Sequence, residues 1–208
     1  MRGKARIRQT RLWHFAGQIK RRLFLELWMR ELWTPPSPPP HAYKVATVLG
    51  YARRFDITTF VETGTYQGDM VEAARSHFGN IWSIELGDDL YEAASRRFQA
   101  WPTVTIVHGD SAVVLEEVLD GLLGPCLFWL DGHFSGGGTA RGLLETPIIA
   151  ELDSVLRRTG FDDVVLIDDA RLFGQGNWPS IDRLTTIFTE HRPGWRFEVR
   201  GDIIRAHR

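Results

Sequence analysis

Cysteine is nearly absent from this chain. The single Cys126 excludes an intrachain disulfide framework and any zinc site built on several thiolates. It lies in the apolar run "CLFWL", where a free thiol acts as a small core residue rather than a nucleophile. Long apolar stretches are missing too, and none suffices to cross a bilayer. The N-terminal segment is basic but lacks the uninterrupted apolar stretch and small-residue cleavage site of a secretory signal, so the cytoplasm is the expected compartment. What remains is an ordinary globular profile. At 208 residues, 43% hydrophobic and 25% charged, the chain can build one good core and not two large ones.

The net charge of −1 conceals an asymmetry. Residues 1–33 hold nine Lys or Arg against two acids, a net of +7, which leaves −8 for the remainder. Within this arm Leu12, Phe15, Ala16, Ile19, Leu23 and Leu27 recur at helical spacing, interleaved with basic residues and flanked by Trp13, Trp28 and Trp33. Such a basic amphipathic helix suits packing on its own domain, self-association, or an anionic membrane surface, peripheral to the bilayer. An RNA-binding arm is a weaker third option, since packing already accounts for the aromatics, and no nucleic-acid partner is expected. "TPPSPPP", residues 34–40, carries five prolines. It cannot continue a helix and serves as a semi-rigid linker. The expected division is therefore an arm over 1–33, a linker over 34–40 and a folded body over 41–208.

The body alternates strand-like and helix-like segments. "TTFVETG", "NIWSIEL", "VTIVHGD", "PCLFWLDGH" and "DDVVLIDDA" are short apolar, β-rich runs. Between them lie "YQGDMVEAARSHF", "GDDLYEAASRRFQ", "SAVVLEEVL" and "TPIIAELDSVLRR", in which Pro147 suits a helical first turn. "VATVLGYARRF" precedes the series and "SIDRLTTIFTEH" follows it. "WRFEV", the turn "RGD" and "IIRA" close the chain as a hairpin. This order predicts an α/β fold: a doubly wound, Rossmann-like, mainly parallel seven-stranded sheet with a C-terminal antiparallel hairpin. Ligands of such sheets bind beyond the carboxyl ends of the strands, where strand order reverses.

Acids gather at that edge. The first strand ends in "VETGTYQG", with Glu62, Gly64, Thr65 and Gly68. The nicotinamide fingerprint is not met, because Glu62 replaces its first glycine; an acid there suits a cationic ligand group. Glu85 ends the second strand 23 residues later, a spacing at which an acid grips ribose hydroxyls in this architecture. Asp110 and Ser111 end the third, where a carboxylate can accept a bond from an exocyclic amine.

Together "FVETGTYQGD", "WSIEL" and "VHGDS" resemble the cofactor motifs of class I S-adenosylmethionine-dependent methyltransferases, and the resemblance covers the body from about Tyr43 onward. It implies S-adenosylmethionine as cofactor. Glu62, Gly64, Thr65 and Gly68 would surround its amino-acid end, Glu85 would hold the ribose, and Asp110 with Ser111 would lie near the adenine. Asp131 is counted in the same set. Tight turns alone also explain the glycines, and a solvated strand end also explains Glu85.

"LDGHFSGGGTARG" places Asp131 and His133 two residues apart, hence on one side of an extended chain. The fifth strand ends in Asp168 and Asp169. Three carboxylates on adjacent tips repel one another unless a cation sits among them, and an all-oxygen cluster suits a hard divalent ion such as magnesium. The pattern resembles metal-dependent, macrocin-type sugar O-methyltransferases. That likeness implies Asp131, Asp168 and Asp169 as metal ligands and His133 as the catalytic base, at a position usually held by Asp. The wording "DGHFSGGGTARG…TPI…LIDDARLF" also resembles a group of uncharacterised bacterial methyltransferase-like proteins. His133 has two other available roles, a fourth ligand or a cap on the strand end. Gly136 to Gly138 suit either a lid hinge carrying Thr139 and Arg141 or a plain surface loop. Arg171 and Phe173 are candidates to line the acceptor pocket, and His108 is expected to pack. The expected activity is metal-assisted O-methylation of a hydroxyl on a sugar or other small molecule. The competing readings are an inactive scaffold that keeps the cofactor fold, and a metal-dependent hydrolase or hydroxylase.

Overall fold

The computed structural model describes residues 35–131 and 146–208 of the chain. The basic arm and the segment containing His133, Gly136 to Gly138, Thr139 and Arg141 lie outside the described residues. The apolar runs form strands β1 (Thr59–Thr63), β2 (Asn80–Glu85), β3 (Val104–His108), β4 (Cys126–Leu130) and β5 (Val164–Ile167). β6 (Arg196–Arg200) and β7 (Ile203–His207) close the chain.

The single sheet runs β3-β2-β1-β4-β5-β7-β6. β1 to β5 are parallel, and β7 is antiparallel to both β5 and β6. The expected mainly parallel sheet with a terminal antiparallel hairpin is thus the observed one. β4 and β5 are buried along their whole length, which is why their sequences are unbroken apolar runs rather than alternating ones. Phe128 and Trp129 are consecutive, so they face opposite sides of the sheet, and both are buried. Burial of a side chain such as Phe128 contributes roughly 1.5–3 kcal/mol.

Six helices flank the sheet among the described residues: α1 (His41–Phe55), α2 (Asp69–Ala74), α3 (Asp88–Phe98), α4 (Ser111–Asp120), α5 (Ile148–Arg157) and α6 (Ile181–His191). Some boundaries differ from the sequence expectation. α1 begins four residues before Val45, directly after Pro40, whose carbonyl accepts the Tyr43 N–H at 2.8 Å. α2 is cut short at its start because Tyr66 (φ 49°) and Gly68 (φ 79°) take left-handed backbone. Pro147 lies one residue ahead of the first helical residue rather than inside the first turn.

Strand order reverses between β1 and β4, which sets the ligand-binding edge at their carboxyl ends. The hairpin braces the adjacent end of α1. Gly201 has φ 58°, and a Cβ on it would strike the Tyr43 ring. Arg205 donates to the Tyr43 hydroxyl at 2.9 Å.

Candidate functional site

β1 delivers Glu62 and then the turn 64–68. Glu62 is buried and accepts a hydrogen bond from Ser83 Oγ at 2.5 Å, with Thr65 Oγ1 2.7 Å from the same hydroxyl. Burial pushes the Glu62 carboxyl up to about 8; the Ser83 bond pulls it back only in part, and Asp131 and Glu85 add to the rise. Glu62 is therefore protonated at neutral pH, and a cation brought beside it would restore its charge. Gly64 and Thr65 donate their N–H groups to the Ile84 carbonyl at 2.9 and 3.1 Å, locking the turn onto β2. Gly68 ends this turn with left-handed backbone, and a Cβ there would come within 2.7 Å of the Phe98 ring.

Glu85 sits at the tip of β2, only 5% exposed. One of its oxygens accepts the Tyr66 N–H at 2.7 Å and the other the Gly87 N–H at 2.9 Å. The carboxylate thus fastens two loops, yet each oxygen keeps a lone pair for a further donor. Asp110 caps α4, accepting the Ala112 N–H at 3.0 Å. Ser111 is buried, and its hydroxyl donates to Glu151 Oε1 at 2.5 Å, so it presents no free donor toward an adenine. His108 does more than pack: its Nε2 lies 2.9 Å from Asp88, and its ring stacks on Tyr91 at 4.6 Å.

Asp131, Asp168 and Asp169 converge as their strand ends require. Oxygens of all three lie within 4.8 Å of one another. The Asp131 N–H donates to the Thr63 carbonyl and to its hydroxyl, both at 3.2 Å. Burial, with Asp131 alongside, pushes the Asp168 carboxyl up to about 7 despite the neighbouring Lys44. Asp168 Oδ1 is buried and has no hydrogen-bond partner among the described residues.

Sequence reasoning missed two residues here. Lys44, on the first turn of α1, donates to Asp168 Oδ2 and lies 3.8 Å from Asp169 Oδ1. Burial disfavours its ammonium, but Asp168, Asp131 and Asp169 outweigh burial and hold its pKa above the ordinary lysine value. Nothing in "HAYKVATVLG" marks this lysine as anything but a solvated helix residue. Glu151, on α5, is buried beside Asp131 and Asp168 in a small cleft also lined by Leu130, Ile167 and Trp178. Burial pushes it up to about 7, against the pull of its bonds to Ser111 and Thr63. A signal for Glu151 did exist: it occupies the apolar stripe of Ile148, Leu152 and Val155, where an acid has no packing reason to stand.

Arg171 does not line the cleft. It pairs with Asp169 at 2.6 Å and with Asp202 of the hairpin turn, whose carboxylate also accepts the Arg171 N–H at 2.7 Å. Phe173 is buried edge-on against Trp178, ring centroids 5.0 Å apart.

The donor set fits two groups. Acceptors at neighbouring strand tips suit a ligand with an ammonium and ribose hydroxyls, as S-adenosylmethionine has. The orphaned Asp168 oxygen among three carboxylates suits a divalent ion.

No family model matches the chain, and no curated protein matches it in sequence. Solved structures do match in fold. The O-methyltransferase TomG from Streptomyces achromogenes, involved in tomaymycin synthesis and solved with SAM, aligns with a TM-score of 0.59 at 14% identity, covering 83% of this chain and 82% of its own. An O-methyltransferase from Bacillus cereus, solved with SAH, gives 0.57 at 12% identity, covering 88% and 90%. SAM-bound CalS10, an amino pentose methyltransferase from Micromonospora echinaspora, gives 0.56 at 13% identity, covering 79% and 90%. The chain has the Rossmann-like methyltransferase fold.

Proposed function

We propose that this chain is an S-adenosylmethionine-dependent methyltransferase that methylates a hydroxyl of a small molecule, a sugar among the candidates, with a divalent ion at the site. One observation carries the reading. Acceptors for the cofactor, Glu62 and Glu85, stand on strand tips directly beside the cluster of Asp131, Asp168 and Asp169, across the strand-order reversal. The fold shared with SAM- and SAH-bound O-methyltransferases supports it.

Once bound, the cofactor supplies an electrophilic methyl on a sulfonium, and the ion supplies Lewis acidity, for which magnesium is the first candidate. The chain's own residues do the rest. Glu85 offers its remaining lone pairs to the ribose, and Glu62 regains its charge against the ammonium. Asp131, Asp168 and Asp169 would hold the ion beside the cleft. His133 would take the acceptor proton, the role that the likeness to macrocin-type enzymes gives it. Asp110 caps α4, the helix that would lie near the adenine.

The test is calorimetric titration with S-adenosylmethionine and its demethylated product, each with and without magnesium. Binding of either is expected. No binding of either overturns the methyltransferase reading, and heats indifferent to magnesium at every concentration overturn the metal-assisted part.

A further inference from the structure

The acidic cluster already holds a cation belonging to the chain. Lys44 reaches from the first turn of α1 to Asp168 Oδ2, across 124 positions of sequence, and approaches Asp169 Oδ1 to 3.8 Å. Its side chain is 18% exposed, and those of Asp168 and Asp169 are 0% and 8%. The lysine is held by placement rather than chance. The adjacent Tyr43 is fixed by Arg205 at 2.9 Å and abuts Gly201, so the start of α1 has little freedom to move off the cluster.

We propose that Lys44 is a tethered counter-ion of this site, and that a divalent ion enters among Asp131, Asp168 and Asp169 only by displacing it. The inference rests on the reading above that the cluster binds a metal ion.

An ammonium carries three donors and no acceptor. It cannot ligate a metal, and its charge would repel a divalent ion set within a few ångströms of it among the same carboxylates. Lys44 also leaves the cluster incompletely answered. Asp168 Oδ1 stays without a partner among the described residues. Arg171 meets the same Asp169 Oδ1 that Lys44 approaches but is shared with Asp202. A divalent ion brings two charges and accepts several oxygens, so it can replace the ammonium. The four-carbon lysine stem lets the head swing to water without moving the helix. Apparent metal affinity then equals the intrinsic affinity scaled by the fraction of time the lysine vacates.

The experiment uses the full chain and Mn²⁺, followed by its electron paramagnetic resonance signal. Lys44→Met should bind Mn²⁺ about tenfold tighter or more, as expected if the lysine occupies the cluster about nine-tenths of the time. Lys44→Arg, which keeps the charge, should bind no tighter than the parent. A second readout needs no variant. Trace acetylation of the parent protein should modify Lys44 faster when Mn²⁺ is saturating, because the amine has been released to solvent. Equal affinities for the parent and Lys44→Met would overturn the competition and leave the metal reading intact. So would equal tightening in Lys44→Arg, or labelling indifferent to bound Mn²⁺. Failure of every form to bind Mn²⁺ would overturn both.

Discussion

Replacing Glu62 with Gln should stabilise the protein, and the gain should grow with pH. The Glu62 carboxyl rises from an ordinary value of 4.5 to about 8 in the folded state, chiefly through burial. Below pH 4.5 both folded and unfolded chains hold the proton, and Glu62 contributes no difference. Between 4.5 and 8 the unfolded chain ionises while the folded one does not, so folding stability falls as pH rises; above 8 the loss levels off. At pH 7 the interval from 4.5 amounts to about 3 kcal/mol at 1.36 kcal/mol per pH unit. Gln is neutral and nearly isosteric, and its amide oxygen can accept the Ser83 hydroxyl that Glu62 now accepts at 2.5 Å. Urea denaturation of both proteins at pH 5, 6, 7 and 8 is the assay. The difference between the two curves isolates Glu62 from other buried acids that titrate in the same range, Glu151 and Asp168 among them. The difference should be below about 1 kcal/mol at pH 5 and approach 3 at pH 7. Parallel curves would refute the reasoning, for they would mean that Glu62 ionises in the folded state as readily as in the unfolded one. The same variant should bind S-adenosylmethionine more weakly, since its neutral amide cannot meet an ammonium: stability gained against function lost.

Four further outcomes are expected. Glu85→Ala should weaken binding of the demethylated cofactor in calorimetry, each lost charge-assisted bond counting for about 1.5–3 kcal/mol; unchanged affinity would remove the ribose assignment. His133→Asn should lower turnover by about 10²–10⁴-fold while metal and cofactor still bind, and loss of metal binding instead would make the histidine a ligand. Gly201→Ala should destabilise the fold by about 1–3 kcal/mol in thermal or chemical melts, from strained backbone at φ 58° and the collision with Tyr43. Deleting residues 1–33 should leave a cooperatively melting body, and if the arm is a surface helix the deletion should remove salt-sensitive binding to anionic vesicles; an aggregating body would show that the arm packs against it.

The fold was legible because buried parallel strands leave unbroken apolar runs and their helices leave periodic ones. The strand-tip acids were legible too, since Glu62, Glu85, Asp131, Asp168 and Asp169 each interrupt or end such a run. Their partners were not. The link from Lys44 to Asp168 spans 124 positions, and no local pattern distinguishes that lysine from one in water. The reversal of Arg171 toward the hairpin depends on Asp202, which looked only like part of a turn. Ser111 fitted a ligand-facing strand end, but its hydroxyl is drawn inward by Glu151 on a helix 40 positions away. Glu151 alone could have been found, as an acid in an apolar stripe.

The position of β7 bears on how the chain reaches this structure. It is the last strand in sequence, yet it lies inside the sheet between β5 and β6. Until residues 204–207 pair with residues 164–167, the wholly apolar β5 has an open ladder on one side, and an unpaired edge of that kind recruits strands from other molecules. Tyr43 also waits for Arg205, 162 positions downstream, so α1 is braced over the acids only once residue 205 is in place. Removing a handful of C-terminal residues should therefore matter more than their number suggests. It would leave β5 with an open edge that favours self-association, and would leave the carboxylates at the ends of β4 and β5 without the braced helix that presents Lys44 to them.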